Sequence, residues 1–389
     1  MAQLETLHAH ECGLDAARLD HFSAVVQRDI EQQRYDGAVV IVARSGRVAL
    51  HQALGFAERQ TARPARTDDI FCLFSVTKAL TGAAVLACID RGELALTTRV
   101  AEVIPEFAAK GKQRVTVAHL LTHTGGMSSG FPPVPPELLG DLETVVSAVC
   151  QQGLEARPGE EVSYSPMTAH AVLGEIVRRV DGGRRSFGQL LAQDVFVPLN
   201  MDDTALGLRA DLAERRVPVV VRDRTPGLFP PEALESFNEL ITEDAEIPGG
   251  GAVSTAADIF RFAEMLRRGG ELDGARILSP AVIRLATTNH TGTQPNNLWN
   301  YAIEERGWDA FPAFLGLSFF LRGTGIYPTY FGTMASPGTF GGVGAGTTLF
   351  WVDPERELSF VCLTAGGLEE ANSMERFQRL SDLVLAAVV

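Results

Sequence analysis

Two strand-turn-strand patterns, one near each end of the chain, constrain the fold most strongly. The first is GAVVIVARSGRVALHQALGFAERQ, in which two apolar runs flank Ser45-Gly46. The second is TTLFWVDPERELSFVCLT, with turn residues near Pro354-Glu355-Arg356. Apolar runs joined by a short polar turn are typical of β-hairpins. We expect the two hairpins to pair into one antiparallel sheet built from both ends of the chain.

Helical spacing of apolar residues dominates the rest of the chain. It predicts helices over 15–33, 75–91, 117–121, 142–151, 167–180, 187–195, 256–268 and 375–389. The resulting fold class is α+β: an α/β sandwich whose antiparallel sheet is flanked by the terminal helices, with an inserted, mainly helical domain. We assign residues 1–70 and 300–389 to the sheet domain and 71–299 to the helical domain, with the active site at their interface.

The charge balance excludes some partners. The 389 residues include 48 acidic and 34 basic side chains, a formal net charge of −14. A chain this acidic lacks the positive surface that nucleic acids and anionic membranes require, so we expect neither partner.

No apolar run reaches the roughly 18 residues of a membrane span, and no secretory signal is visible. The five cysteines form no C-x-x-C pair, which argues against disulfide frameworks and thiolate zinc sites. We expect a cytoplasmic protein.

Lysine is scarce, because only three of the 34 basic residues are lysines. Lys110 and Lys112 lie in the polar stretch AAKGKQR, where we expect both to be solvated. Lys78 lies in the apolar segment FCLFSVTKALTGAAVLACI. A lysine in apolar surroundings can lose its charge, because desolvation lowers its pKa. Lys78 is therefore a candidate for chemistry.

Ser75 stands three residues before Lys78, at the start of the predicted helix. Residues three apart share one face of a helix, so the hydroxyl and the amine would lie side by side. A serine hydroxyl needs a base to become a nucleophile, and backbone N–H groups at a helix start favour a developing anion. The tetrapeptide alone is also consistent with a capping serine and a solvent-reaching lysine.

Two further features support a catalytic interpretation. Tyr164, which follows a Pro-Gly turn and precedes a helical pattern, would project its phenol into a cleft. A nearby cationic lysine would lower its pKa and allow it to act as a base; the alternative is a packed tyrosine. The glycine-rich segment GTFGGVGAGTT would let another chain or a ligand approach a strand closely, as an oxyanion site requires, or would be a loop or bulge.

Five segments together resemble the serine β-lactamase-like superfamily, which includes class C β-lactamases, DD-peptidases and family VIII carboxylesterases. In chain order they are FSVTKALTGAAVLACIDRGELAL, VTVAHLLTHTGGM, PGEEVSYSPMTAHAVLGEIVRRVDG, PGGGAVSTAADIFRFAEMLRRGG and FGGVGAGTTLFWVDPERELSFVCLT. S-x-x-K is a recognised signature of the superfamily. The resemblance spans nearly the whole chain and implies a β-lactamase/transpeptidase-like fold.

The resemblance implies roles for individual residues. Ser75 would be the nucleophile that forms an acyl-enzyme, and Lys78 a base and proton relay. Tyr164 would share the base role and protonate the leaving group. The oxyanion hole would use the N–H of Ser75 and one N–H near Gly344 or Ala345. Whether Lys78 or Tyr164 is the base stays open, because coupled groups share their titration.

The chain departs from the family pattern at two motifs. Pro166 stands where the family's tyrosine motif often has asparagine. The third motif, usually Lys-Thr-Gly, His-x-Gly or Trp-x-Gly, aligns without gaps with Gly342-Val343-Gly344. A cation that would hold the carboxylate of a β-lactam or a peptide is therefore missing. The departures favour neutral ester or acyl substrates.

Other candidates have weaker support. The segment GMSSG matches the G-x-S-x-G pattern of a nucleophile elbow at Ser128, but no strand precedes it; Ser128 could still line the pocket. His119 and His123 have zinc-helix spacing without the glutamate or a third ligand, so structural roles are favoured and no metal site or cofactor is expected. One aromatic cluster would be either ordinary core or the wall of an apolar acyl pocket: Trp308, Phe311, Phe314, Phe319, Phe320, Tyr327, Tyr330 and Phe331.

The sequence therefore predicts a serine carboxylesterase that cleaves small-molecule esters through a Ser75 acyl-enzyme. An acyltransferase of the same scaffold, acting on a small acyl donor, shares the first half-reaction and is the main alternative. Weak β-lactamase or D-peptidase activity is a further alternative. A non-catalytic ligand-binding or filament-forming protein is disfavoured, since such a protein has no chemical reason to keep Ser75, Lys78 and Tyr164. The oligomeric state is left open.

Overall fold

A computed structural model describes residues 4–389. The strands are β1 (Gly37–Arg44), β2 (Arg47–Glu58), β3 (Arg63–Pro64), β4 (Phe71–Cys72), β5 (Ala205–Leu206), β6 (Ala252–Ser254), β7 (Glu271–Leu272), β8 (Ala275–Arg276), β9 (Phe320–Leu321), β10 (Phe340–Gly344), β11 (Thr348–Asp353) and β12 (Leu358–Ala365). Short strands β4, β5 and β6 form a separate three-stranded sheet, and β7 pairs with β8.

The helices are α1 (Ala16–Glu31), α2 (Thr77–Asp90), α3 (Val100–Val103), α4 (Val117–Leu121), α5 (Leu142–Gln151), α6 (Thr168–Val180), α7 (Phe187–Leu191), α8 (Pro231–Glu235), α9 (Phe237–Leu240), α10 (Ala256–Arg267), α11 (Pro280–Ala286), α12 (Asn300–Arg306) and α13 (Glu370–Leu385). Short 3₁₀ turns occur at Ala9–Cys12, Phe74–Val76, Pro105–Gly111, Pro136–Leu138, Ala210–Arg215 and Asn297–Trp299, and a π turn at Ala192–Phe196.

The two predicted hairpins pair into one sheet. Its seven strands run in the order β3-β2-β1-β12-β11-β10-β9, and every neighbouring pair is antiparallel. Strand β1 pairs with β12 along its whole length, from Gly37 opposite Ala365 to Arg44 opposite Leu358. The prediction of one antiparallel sheet built from both chain ends is confirmed.

Turn chemistry closes both hairpins. Ser45 and Gly46 adopt φ angles of 53° and 77°, the left-handed conformation that tight hairpin turns need. In the second hairpin, the Asp353 carboxylate accepts hydrogen bonds from the backbone N–H groups of Glu355 and Arg356. Asp353 thereby fixes the turn that the sequence placed near Pro354.

Helices cover both faces of the sheet. On one face, α1 and α13 pack together, and Phe22 and Phe377 share an apolar cluster with Phe360. On the other face, α10 packs against β1, β11 and β12, with the Phe262 ring edge-on to Phe350 at 5.9 Å. Because α10 lies within 71–299, one helix of the predicted helical domain belongs to the sheet's packing. The boundaries at 70 and 300 stay a prediction.

Caps explain where the terminal helices begin. The Asp15 carboxylate accepts a hydrogen bond from the Arg18 N–H, and α1 starts at the next residue. Glu369 caps α13 through the N–H groups of Ala371 and Asn372, so this helix begins five residues before the predicted start at 375.

One sequence expectation about lysine is wrong. Lys110 is exposed, but Lys112 is fully buried and donates hydrogen bonds to the carbonyls of Cys150 and Gln152.

All five cysteines are buried and unpaired. Among residues 4–389, no helix combines the length and the apolar character needed to cross a membrane.

Candidate active site

Ser75 lies in a 3₁₀ turn immediately before α2, so the helix starts two residues later than predicted. The preceding residue, Phe74, has a φ of 45°, which is unusual for a residue with a side chain. Leu73 holds this bend in place, because its N–H donates to the Ala252 carbonyl and its carbonyl accepts from Thr348 Oγ1 at 2.9 Å. Such strain persists where neighbouring contacts fix the backbone, and it is frequent at functional sites.

The structure brings the three predicted catalytic side chains together. Lys78 Nζ lies 2.9 Å from Ser75 Oγ, as the one-turn spacing predicts. Tyr164, four residues before α6, places its hydroxyl 2.7 Å from the same Ser75 oxygen. The serine oxygen is therefore in hydrogen-bond contact with an amine and with a phenol.

Lys78 is held by a backbone carbonyl that the sequence reading did not identify. Its Nζ lies 2.6 Å from the Gly249 carbonyl oxygen, in the segment PGGG. A Cβ at Gly249 would lie 2.6 Å from the Pro166 carbonyl, so this close approach requires glycine. The sequence signal for this contact is the glycine run itself, which belongs to one of the five segments that resemble the superfamily.

Burial favours the neutral, unprotonated form of the Lys78 amine. The side chain is 4% exposed, and desolvation lowers its pKa from 10.5 to about 7. No carboxylate offsets this effect; the closest aromatic contact is the Tyr164 ring, whose centroid is 5.0 Å from Nζ. A large fraction of the amine is therefore unprotonated at neutral pH.

Tyr164 keeps its proton. Burial raises the pKa of the phenol above its usual 10, and the hydrogen bond to Ser75 only partly opposes this. The expectation that Lys78 would lower the pKa of Tyr164 is wrong, because burial of the phenol has the larger effect and raises that pKa. Tyr164 is thus protonated at neutral pH, beside an amine that is partly unprotonated.

One arrangement of protons satisfies all these contacts. The Tyr164 O–H donates to Ser75 Oγ, and the Ser75 O–H donates to the lone pair of neutral Lys78. A Lys78 N–H then donates to the Gly249 carbonyl. The arrangement can transfer the serine proton to the amine in one step.

Strand β10 runs beside the nucleophile and has a free edge there. The Thr339 carbonyl accepts from the Arg322 N–H, on the β9 side of the strand. Because successive residues of a strand alternate in direction, Gly341 and Val343 also face that side. Strand β9 ends at Phe320, so the Val343 N–H lies beyond it, at the open edge.

The predicted oxyanion donors, Gly344 and Ala345, lie at the end of β10 and in the turn that follows it. The Gly344 carbonyl accepts from the Thr347 N–H, so Gly344 faces β11, and Ala345 lies in the turn. A Cβ at Gly344 would be 2.2 Å from the Leu73 carbonyl, which shows how closely the strand approaches the segment before Ser75. Gly342 faces the cavity described next. An oxyanion donor near Gly344 or Ala345 stays a prediction.

A narrow cavity of about 20 Å³ opens beside Ser75. Its lining is mostly apolar: Ser75, Lys78, Leu121, His123, Tyr164, Leu315, Gly316, Ser318, Phe319, Phe320 and Gly342. A much larger cavity lies elsewhere, along Arg178 and Glu246, and has no lysine in its lining. The chemistry of the side chains, rather than the size of the cavity, therefore marks the site.

The aromatic cluster divides between the two expected roles. Phe320 lines the Ser75 cavity and also a neighbouring one, which is walled by Phe311, Tyr327, Tyr330 and Phe331. Phe319 lines the Ser75 cavity and packs edge-on against Phe340 in the core. Trp308 and Phe314 border neither cavity and pack against core residues.

The remaining sequence candidates are placed outside the reacting atoms. Ser128 is absent from the cavity lining, and its Oγ accepts from the Gly130 N–H in a loop without a preceding strand. His119 accepts a hydrogen bond from the Thr116 N–H at the start of α4, a capping contact. His123, by contrast, lines the cavity and packs against Tyr164, with ring centroids 4.6 Å apart and ring planes tilted by 38°.

Comparison with known proteins agrees with this geometry. Esterase EstB of Burkholderia gladioli is 34% identical over 286 residues, which cover 65% of this chain and 70% of EstB. Penicillin-binding protein 4 of Amycolatopsis lactamdurans is 30% identical, over 79% of this chain and 78% of that protein. The fold matches the crystal structure of a family VIII carboxylesterase with a TM-score of 0.80 at 23% identity, covering 98% of this chain and all of that one.

The family itself is shown by a match along nearly the whole chain. A sequence profile described as Beta-lactamase matches residues 22–383, a range that contains Ser75, Lys78, Tyr164 and every strand of the seven-stranded sheet. The fold and the profile agree with the resemblance drawn from the five motifs. This chain belongs to the beta-lactamase family.

Proposed function

We propose that this protein is a serine carboxylesterase that cleaves small, neutral esters through an acyl-enzyme on Ser75. One observation carries the proposal: the Ser75 oxygen lies 2.9 Å from an amine whose pKa is about 7 and 2.7 Å from a protonated phenol. A base with a pKa near the operating pH and an adjacent acid are what acyl transfer at a serine needs.

In the first half-reaction, Ser75 Oγ attacks the ester carbonyl carbon while its proton passes to Lys78 Nζ. The tetrahedral oxyanion accepts hydrogen bonds from the Ser75 N–H and from one N–H near Gly344 or Ala345. The C–O bond to the alcohol then breaks, and the leaving oxygen takes the Tyr164 proton. The Lys78 ammonium restores that proton, so an alcohol departs and Ser75 carries the acyl group.

The second half-reaction reverses these roles. A water molecule gives its proton to Lys78 and attacks the acyl carbon. When the bond to Ser75 Oγ breaks, the proton returns to the serine and a carboxylic acid is released. Replacing water by an alcohol or amine makes the protein an acyltransferase, and the apolar lining of the cavity favours organic acceptors as well as esters.

The charge of the cavity supports a neutral substrate. Lys78 is its only lysine or arginine, and that side chain is committed to Ser75 and Gly249. A substrate carboxylate would therefore lose its hydration without gaining an ion pair. This is why esters are proposed ahead of β-lactams and D-amino-acid peptides.

The test compares wild type with Ser75→Ala on p-nitrophenyl acetate. We expect a burst of p-nitrophenol, one per protein molecule, followed by turnover; the variant should lose both by at least about 10³-fold. Ser128→Ala is the matched control and should keep the burst. Equal activity of wild type and Ser75→Ala would contradict the proposal.

Two additions to the assay separate the alternatives. Alcohols and amines added during turnover reveal transferase activity as new ester or amide product. Nitrocefin reports β-lactam hydrolysis, which we expect to be at least 10³-fold slower than ester cleavage. A preference for nitrocefin would replace the esterase proposal by a β-lactamase.

A further inference from the structure

Two neutral side chains on the cavity wall, His123 and Ser318, take no part in the proton transfers proposed above. Both line the Ser75 cavity. Both have left-handed backbone conformations, with φ angles of 55° and 64°. Strained positions of this kind are frequent where a side chain must point in one direction.

The protonation of His123 follows from its contacts. Its Nδ1 lies 3.2 Å from the backbone nitrogen of Ser165, a group that can only donate. Nδ1 must therefore be the acceptor, which places the ring proton on Nε2. Burial and the nearby Lys78 lower the pKa of His123 to about 3, so the ring stays neutral.

The Nε2–H of His123 has no partner in the described part of the protein. His123 Nε2 makes no hydrogen bond to the described residues. The atom is not fully enclosed, so it keeps access to solvent. Because the side chain is otherwise buried and lines the cavity, that access is through the cavity. The ring thus presents one fixed donor to a bound molecule.

Ser318 gains a second free donor from His170. The Ser318 Oγ lies 3.2 Å from His170 Nε2, while His170 Nδ1 is enclosed without a partner. In proteins, a buried N–H group without an acceptor is rarer than a buried acceptor without a donor. The unpaired His170 Nδ1 is therefore assigned as the acceptor, and the proton is placed on Nε2. His170 then donates to Ser318 Oγ, and the Ser318 O–H has no acceptor among the described residues.

We propose that His123 and Ser318 form an oxygen-recognition site, and that the natural ester carries an additional uncharged oxygen acceptor, an ether, keto or hydroxyl oxygen, close to its ester carbon. This inference rests on the proposed esterase function. Two fixed donors in an otherwise apolar lining would orient such a substrate, as a few polar groups do in most small-molecule sites. Substrates without the oxygen would leave both donors unpaired.

The test uses ester pairs that differ only by oxygen in place of a methylene group. On the acyl side, p-nitrophenyl methoxyacetate is compared with p-nitrophenyl butyrate. On the alcohol side, 2-methoxyethyl butyrate is compared with n-butyl butyrate. Each kcat/KM is divided by the rate of hydroxide hydrolysis of the same ester, which removes differences in intrinsic reactivity.

We expect wild type to prefer the oxygen-bearing member of at least one pair by about tenfold, the size typical of one or two neutral hydrogen bonds. His123→Phe and Ser318→Ala should bring the preference close to one. His123→Gln, which keeps an N–H donor, should retain most of it. A role of His123 in packing against Tyr164 alone would lower the rates of both pair members equally and leave the ratio unchanged.

The result separates this inference from the esterase proposal. Activity that is lost in Ser75→Ala, together with no preference in either pair, overturns the oxygen-recognition site alone. A wild-type preference that persists in both His123→Phe and Ser318→Ala also overturns it. Activity that survives in Ser75→Ala overturns the esterase proposal itself.

Discussion

Two lysines are buried in this protein, and their surroundings give them different chemistry. Lys112 donates to the carbonyls of Cys150 and Gln152, at the C-terminal end of α5, and lies 5.3 Å from the Phe107 ring centroid. Carbonyls at that end of a helix lack partners and attract cations. Lys112 is therefore a helix cap, with its protons committed to the backbone.

Lys78 has only one carbonyl partner, and its other contact is the nucleophile itself. Burial lowers the pKa of both lysines, but only Lys78 faces a cavity where its lone pair can accept a proton. The comparison teaches that burial does not by itself make a lysine a base. What matters is how many fixed acceptors hold its protons.

Replacing Lys78 by methionine should have the largest effect. We expect kcat/KM for p-nitrophenyl acetate to fall by about 10³–10⁴-fold, because the general base is lost. Stability should not fall, since the variant no longer buries an amine. The folded pKa of about 7 is below the unfolded 10.5, so the burial cost is complete below pH 7 and fades as the pH rises towards 10.5. Urea unfolding should therefore show a larger stability gain at pH 6 than at pH 9.

Replacing Tyr164 by phenylalanine should cost about 10²-fold in kcat/KM, because the leaving oxygen loses its proton donor. The loss should shrink for p-nitrophenyl esters, whose leaving group needs no protonation, and grow for alkyl esters. Comparing the two ester classes in stopped-flow and pH-stat assays checks this. An equal loss for both classes would assign Tyr164 to positioning.

The pH profile should distinguish the two lysines. In wild type, kcat/KM should fall about tenfold per pH unit below about 7, where Lys78 becomes protonated. The Lys112→Met variant should keep this inflection, because Lys112 does not contact Ser75. A shift of the inflection by a full pH unit in that variant would show that the two lysines are coupled.

Replacing Lys112 by methionine should have the smallest effect on catalysis and a measurable effect on stability. Two carbonyls would lose their donor, at a cost of about 1–3 kcal/mol of unfolding free energy. Activity at 25 °C should stay within about threefold of wild type. Urea unfolding followed by circular dichroism measures the first quantity, and initial ester hydrolysis rates measure the second.

Sequence patterns that span a few residues predicted those features of the fold and site that depend on residues close together in the chain. Both hairpins follow from apolar runs and turn residues, and the Ser75–Lys78 contact follows from one helical turn. Tyr164 came from a motif in the right order along the chain. Each of these depends on neighbours within a few residues or on a whole-chain resemblance.

The remaining features depend on residues far away in sequence. Lys112 looked solvated because its local context is polar, yet its acceptors lie 38 and 40 residues further on. The Gly249 carbonyl reaches Lys78 across 171 residues. The donor role of His123 depends on the Ser165 backbone. Periodicity cannot encode such contacts, because packing sets them.

The scarcity of lysine has a practical consequence for handling the protein. With Lys78 and Lys112 buried, Lys110 is the only exposed lysine in the described chain. Amine-reactive labels would therefore attach there and at the chain's α-amino group. Lys110 lies in the 3₁₀ segment Pro105–Gly111, away from the residues that line the Ser75 cavity. Coupling through this side chain would immobilise the protein on a support in a nearly uniform orientation, with its cavity unobstructed.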